Sequence, residues 1–219
     1  MAGEECAGQA QACLIRVAKL DAEGAPLDGD GNLYVSSGLI SMEWAPDVAT
    51  GDELEQVDGC GNECVYFRAP DRVRKLDLTL TMCAPEPELM QLMAGGTLHA
   101  LTGVTTGWGL PGSGTVGEGV NDVSVELWQN LIVDGSIAGQ MRYVFPRTRN
   151  WRRTGSTHQN DILDVTLEGF GVNAGTFGGG PAGDWDLLSD EDVTLYDFAL
   201  ETQTLPTAAC GASELSVPT

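Results

Sequence analysis

Hydrophobicity alternates with a period of two along segment after segment of this chain. Across 75–82, Leu76, Leu78, Leu80 and Met82 fall on one face, and Asp77, Thr79 and Thr81 on the other. Val123, Val125 and Leu127 oppose Ser124, Glu126 and Trp128, while Leu163, Val165 and Leu167 oppose Asp164, Thr166 and Glu168. Segments 13–20, 39–44, 64–68 and 141–145 also read as strands. Successive side chains of a strand point to opposite faces, so the pattern predicts half-buried antiparallel strands with one face on a core and one face polar. Segment 85–94 breaks the rule. It opens with prolines and acids, ends at Gly95 and Gly96, and sets Leu89, Leu92 and Met93 at helical spacing, which predicts one short helix. The class expected is mainly β: an antiparallel β-sandwich with one short flanking α-helix.

The 29 Gly and ten Pro of this 219-residue chain suit the frequent turns and long loops of such a fold. Long loops are expected at 45–63, 102–122 and 171–184. The first holds Asp47, Asp52, Glu53, Glu55, Asp58 and Glu63, a poor core but a good partner for arginines, so it is expected to be an assembly loop at the subunit interface. Residues 1–204 read as a single domain. Residues 205–219 have few apolar positions and read as an extended C-terminal arm lying across a neighbouring subunit.

Charge narrows the function. The formal net charge is −21, which argues against a protein that wraps nucleic acid, since such binding draws on cations that displace counterions. It does not argue against a protein that DNA passes without sticking. Five of the eleven Lys and Arg, namely Arg142, Arg147, Arg149, Arg152 and Arg153, crowd into 142–153 beside Tyr143, Phe145 and Trp151. Arginine interleaved with aromatics is typical of interface hot spots, so this strip is expected to meet carboxylates of adjacent subunits; a solvated face is the plainer alternative. No apolar run reaches the length that spans a bilayer, and the acidic start of the chain lacks a signal-peptide core, so synthesis in a cytosol is expected.

Motifs for chemistry are few. Glycines 107–112 and 112–117 both satisfy G-x-G-x-x-G, but Pro111 interrupts the first and a strand pattern follows the second, where a dinucleotide site needs a helix. Asp28, Asp30 and Asn32 open like a calcium loop, but Leu33 and Leu39 stand where Gly and Glu are needed, so a turn between strands is expected. Cys60 and Cys64 form a C-x3-C pair without two further ligands at zinc spacing, and His99 and His158 supply none. Ser156 and His158 alone do not make a triad. No enzyme, cofactor or metal site is expected.

Several segments together resemble the major tail proteins of long non-contractile-tailed phages of actinobacteria. These are the run 143–147 (YVFPR), 160–169 (NDILDVTLEG), 178–185 (GGGPAGDW), 15–21 (IRVAKLD) and 75–89 (KLDLTLTMCAPEPEL), and their order as much as their content is similar. The resemblance extends over most of residues 13–186. It implies a tail-tube protein with a β-sandwich core, assembling as hexameric rings that stack into a tube for ejected DNA. It further implies tape-measure, tail-terminator and tail-tip proteins as partners, and residence in the virion after synthesis in the host bacterium. A tail-tip or terminator protein on the same fold is the alternative within that group, and a β-sandwich carboxylate hydrolase the alternative outside it. In a tube, carboxylates on polar strand faces would repel DNA from the walls; Glu43, Asp77, Glu126, Asp164 and Glu168 are the lumen candidates.

Overall fold

A computed structural model describes residues 8–27, 29–83, 86–110, 122–133, 135–154, 164–174, 180–181, 197–199 and 212–215. The elements run β1 (Gly8–Lys19), β2 (Gly29–Ser36), β3 (Leu39–Ala49), β4 (Glu53–Val57), β5 (Glu63–Arg68), β6 (Arg72–Met82), α1 (Pro87–Ala94), β7 (Thr97–Leu101), β8 (Val104–Gly109), β9 (Val123–Val133), β10 (Ser136–Arg153), β11 (Val165–Gly171), β12 (Asp197–Ala199) and β13 (Ala212–Leu215). The protein is mainly β, with antiparallel pairing in every ladder and a single short helix.

One nine-stranded sheet forms the body, in the order β13-β2-β1-β9-β10-β11-β6-β3, with β12 also pairing β10. The sheet curls over its own apolar face. Trp44 of β3 comes within 5.2 Å of the Tyr143 ring and 5.5 Å of the Phe145 ring of β10, although two strands separate β3 from β10 in the sheet. The two layers of the expected sandwich are therefore the two halves of one folded sheet. Its core takes the alternating residues that the sequence set aside: Ile15, Val17, Leu76, Leu78, Leu80, Met82, Val123, Val125, Leu127, Val165 and Leu167 are all buried.

Helix α1 closes the open side of that core with Leu89, Met90, Leu92 and Met93. Full burial of such side chains contributes roughly 1.5–3 kcal/mol each. Pro87 begins it, and Gly95, at φ 69°, ends it. The Trp108 indole of β8 donates to the Gly95 carbonyl at 2.6 Å, satisfying a helix end and tying the β7–β8 hairpin to the body.

Three expected loops differ. Segment 45–63 is not a loop: 45–49 continue β3, and the rest builds most of a β4–β5 hairpin that forms its own two-stranded sheet. The first half of 102–122 is strand β8, so Gly107 and Gly109 lie in a hairpin and not before a helix. The turn expected at Asp28–Asn32 falls earlier, where the Asp21 carboxylate accepts from the Gly24 and Ala25 N–H groups at 2.8 Å; Gly29–Asn32 already belong to β2. In the C-terminal arm, 212–215 pair with β2 as an edge strand of the chain's own sheet. The Gly-rich motif 112–117, Ser156, His158, Leu163, the run 160–163, most of 178–185 and the rest of the tail lie outside the described residues.

Candidate assembly surfaces

The β4–β5 hairpin is an arm. Residues directly opposite in an antiparallel ladder share a face, so the register sorts it in two. Leu54, Phe67, Gln56 and Val65 lie on one face; Glu53, Arg68, Glu55, Tyr66, Val57 and Glu63 lie on the other. Every residue of both strands is exposed, including Leu54 at 64%, Val65 at 54% and Phe67 at 56%. One face is thus largely apolar and bare, and the other carries three glutamates with Arg68 and the exposed Val57 and Tyr66 among them.

The two ends of the arm are built with care. At the tip, Asp58 accepts from the Asn62 and Cys60 N–H groups, both at 2.8 Å, and these bonds hold its carboxyl below the usual aspartate range. At the neck, Ala69 N–H donates to the Asp52 carbonyl and Gly51 N–H to the Asp71 carboxylate, each at 2.9 Å. The Gly51 bond is the main cause of a lowered Asp71 pKa. Any side chain at Gly51 would start 1.8 Å from the Ala69 oxygen, so the crossing of the two chains admits only glycine.

The basic strip is not one patch. It forms no turn; it is the C-terminal part of the 18-residue β10. Pro146, which lacks an N–H, accompanies one register shift, and Asn150, at φ 55°, sits at a second between Arg149 and Arg152. These irregularities disperse the cations. Arg142 is buried at 1% exposure. Arg147 and Arg149 both reach Asp122 of their own chain, at 2.6 Å. Arg152 pairs with Glu168 at 3.0 Å, and Arg153 is half-buried with a partner of its own. As a monomer surface, the strip is largely neutralised from within.

The lumen candidates also separate. Glu43, Thr79, Glu168 and Arg152 are neighbours across β3, β6, β11 and β10 on the outer face of the sheet. Asp77 lies on the same face, bonded to Lys75 at 2.6 Å, which raises the ammonium's pKa. An open depression of about 460 Å³ lies among Lys75, Asp77, Asn150, Arg152, Glu168 and Phe170. Glu43 and Asp164 are exposed and make no ion pair among the described residues; Asp47 is half-buried beside Lys75. This face is therefore a lattice of paired charges with an acidic remainder.

Glu126 is a correction. It is fully buried and cannot face a lumen in this fold. Arg16, opposite it in register, donates to its two oxygens at 2.9 and 2.7 Å, and Arg142 Nη1 lies 4.0 Å away. Both guanidinium groups sit over the Trp128 ring, at 5.8 and 5.4 Å. Around Glu126 the outer side of β1, β9 and β10 is buried, with Leu14, Ser124 and Trp128 beside the two arginines, so these charges brace the sheet.

A second cationic cluster escaped the sequence reading: Arg68, Arg72, Arg74 and Lys75 fall within eight residues at the neck. Plain charge counting in a short window would have found it. Arg68 pairs weakly with Asp71 at 3.4 Å, whereas Arg72 and Arg74 are exposed with no ion pair among the described residues.

Among the described residues no group of three or more His, Cys, Asp or Glu converges as a metal site, and no helix is long and apolar enough to cross a membrane. Comparison with known proteins finds no family model that matches this chain and no curated protein sequence significantly similar to it.

Proposed function

We propose that this chain is a structural virion protein that assembles with copies of itself, and that the assembly is the tail tube of a long non-contractile-tailed phage. The observation behind self-assembly is the arm. A lone two-stranded hairpin is marginal in water, and this one bares Leu54, Val65 and Phe67 on one face. Covering those three side chains would contribute roughly 1.5–3 kcal/mol each, enough to favour a partner.

The tube form rests on the resemblance of the segments quoted above, together with the mainly antiparallel fold and the acidic balance. In that reading hexameric rings stack, genomic DNA passes without specific binding, and the acidic remainder of the outer sheet face, with Glu43 and Asp164, suits a wall that repels phosphate. Arms that join each copy to the next form a heterologous contact, which closes into rings or extends as a filament.

The test is sedimentation and negative-stain electron microscopy of the purified chain across a concentration series. Rings or tubes that grow with concentration support the reading. A monomer at every concentration reached, with no particles, sinks it.

A further inference from the structure

We propose that the acidic face of the arm docks on the Arg72–Arg74 face of the neck of a second copy. The inference rests on the self-assembly reading above and names its contact. Three observations lead to it. First, Glu53, Glu55 and Glu63 share the arm's acidic face, are exposed, and make no ion pair among the described residues. Second, Arg72 and Arg74 lie on either side of Val73 where the β3–β6 register shifts, both line the same depression at the neck, and both are likewise exposed and unpaired among the described residues. Third, the neck is concave: an open depression of about 440 Å³ lies among Gly51, Ala69, Pro70, Arg72 and Arg74.

Charge economy sharpens the match. Only eleven cations serve 32 carboxylates. Arg147, Arg149 and Arg152 are occupied within their own chain, as are Arg16 and Lys75. Two arginines with no ion pair among the described residues are the natural target for carboxylates that the described residues likewise leave unpaired. The chain's own arm springs from this neck yet forms no ion pair with Arg72 or Arg74. A neighbour's arm can therefore approach a site that the described residues leave open. Each copy offers one arm and one neck, so the contact repeats without using itself up. Electrostatic complementarity of this kind sets partner choice and encounter rate, and like charges placed in apposition suppress it.

The experiment is a charge swap in the full-length protein. Three variants are compared with the wild type by sedimentation and electron microscopy: R72E/R74E, E53R/E55R, and the four substitutions combined. All four positions are exposed, so unchanged far-UV circular dichroism is expected for each variant. Each pair alone should weaken self-association roughly tenfold or more, and the combination should restore most of it. Wild-type association should also weaken as salt rises. If the wild type assembles and neither pair alters it, or the combination is no better than the pairs, the docking inference is overturned while self-assembly stands. A wild type that never associates overturns both. If R72E/R74E instead abolishes binding of a DNA duplex and leaves association intact, the neck is a polyanion site and the inference is overturned.

Discussion

Replacing Glu126 by Gln should destabilise this protein more than replacing Arg16 by Met, although the two residues form one ion pair. Glu126 accepts both bonds from Arg16 and lies 4.0 Å from Arg142, and all three side chains are almost wholly buried. Gln keeps the shape and removes the charge, so two guanidinium groups lose their shared carboxylate in a site that water does not reach. Breaking a buried pair from one side costs about 3–5 kcal/mol. Arg16→Met leaves Glu126 with Arg142, and the loss is mainly that of charge-assisted hydrogen bonds, about 1.5–3 kcal/mol. In a chain of this size each kcal/mol moves Tm by about 2–4 °C, so Glu126→Gln should melt roughly 6–20 °C lower. Urea denaturation followed by tryptophan fluorescence, on both variants and their double mutant, gives the ordering and the coupling. A loss below about 1 kcal/mol for Glu126→Gln would mean that the pair is hydrated and the burial argument wrong. So would a larger loss for Arg16→Met than for Glu126→Gln.

Gly51→Ala should disable the arm and spare the body, because the new Cβ would sit 1.8 Å from the Ala69 oxygen and force the neck open. Hydrogen exchange should rise across 52–69 and stay unchanged in β6 and β9; equal protection everywhere would contradict the neck geometry. Burial pushes the Cys13 thiol up, while Cys60, Cys64 and Cys83 are exposed. Maleimide labelling near neutral pH, mapped by mass spectrometry, should therefore modify those three well before Cys13; uniform labelling would refute this. The Asp58 carboxyl is depressed, chiefly by the Asn62 N–H, so its stabilisation of the arm's tip is complete above the ordinary aspartate pKa and is lost as pH falls below it. Amide exchange at Cys60 and Asn62 should accelerate on acidification, in excess of the intrinsic chemistry, and Asp58→Ala should abolish that excess.

The arm shows how a composition can hide a structure. Six carboxylates between 45 and 63 read as a long loop that partners arginines, yet Leu54, Gln56, Val65 and Phe67 pair into one face across a turn that Asp58 and Gly61 close. The signal was present in the Asp-Gly turn and the alternation on either side of it. Charge density outweighed it, because exposed hairpins owe little to burial and therefore show little hydrophobic pattern. The strip at 142–153 misled in the opposite way. Five cations adjacent in sequence were dispersed by two irregularities of one strand, and only the register shows that Asp122 collects two of them.

The sequence by itself determined the helix, the identity of the core, and strands β1, β3, β5, β6, β9, β10 and β11, but not β2, β4, β7, β8, β12 or β13. Alternation and end signals are local properties of the chain, and Leu76, Leu78, Leu80, Val123, Val125 and Leu127 had one face to choose. It could not decide whether the opposite face meets water. Ser124, Glu126 and Trp128 read as a polar side, and the fold buried all three. A period of two tells which residues share a face, but whether a second layer covers that face depends on chain far away in sequence. Only the tertiary structure set Arg16, 110 residues distant, against Glu126 and turned a candidate lumen charge into an internal brace. Only the tertiary structure, likewise, left Arg72 and Arg74 exposed beside a concave neck. Pairing of distant charges is fixed by strand register, and register is a property of the whole sheet.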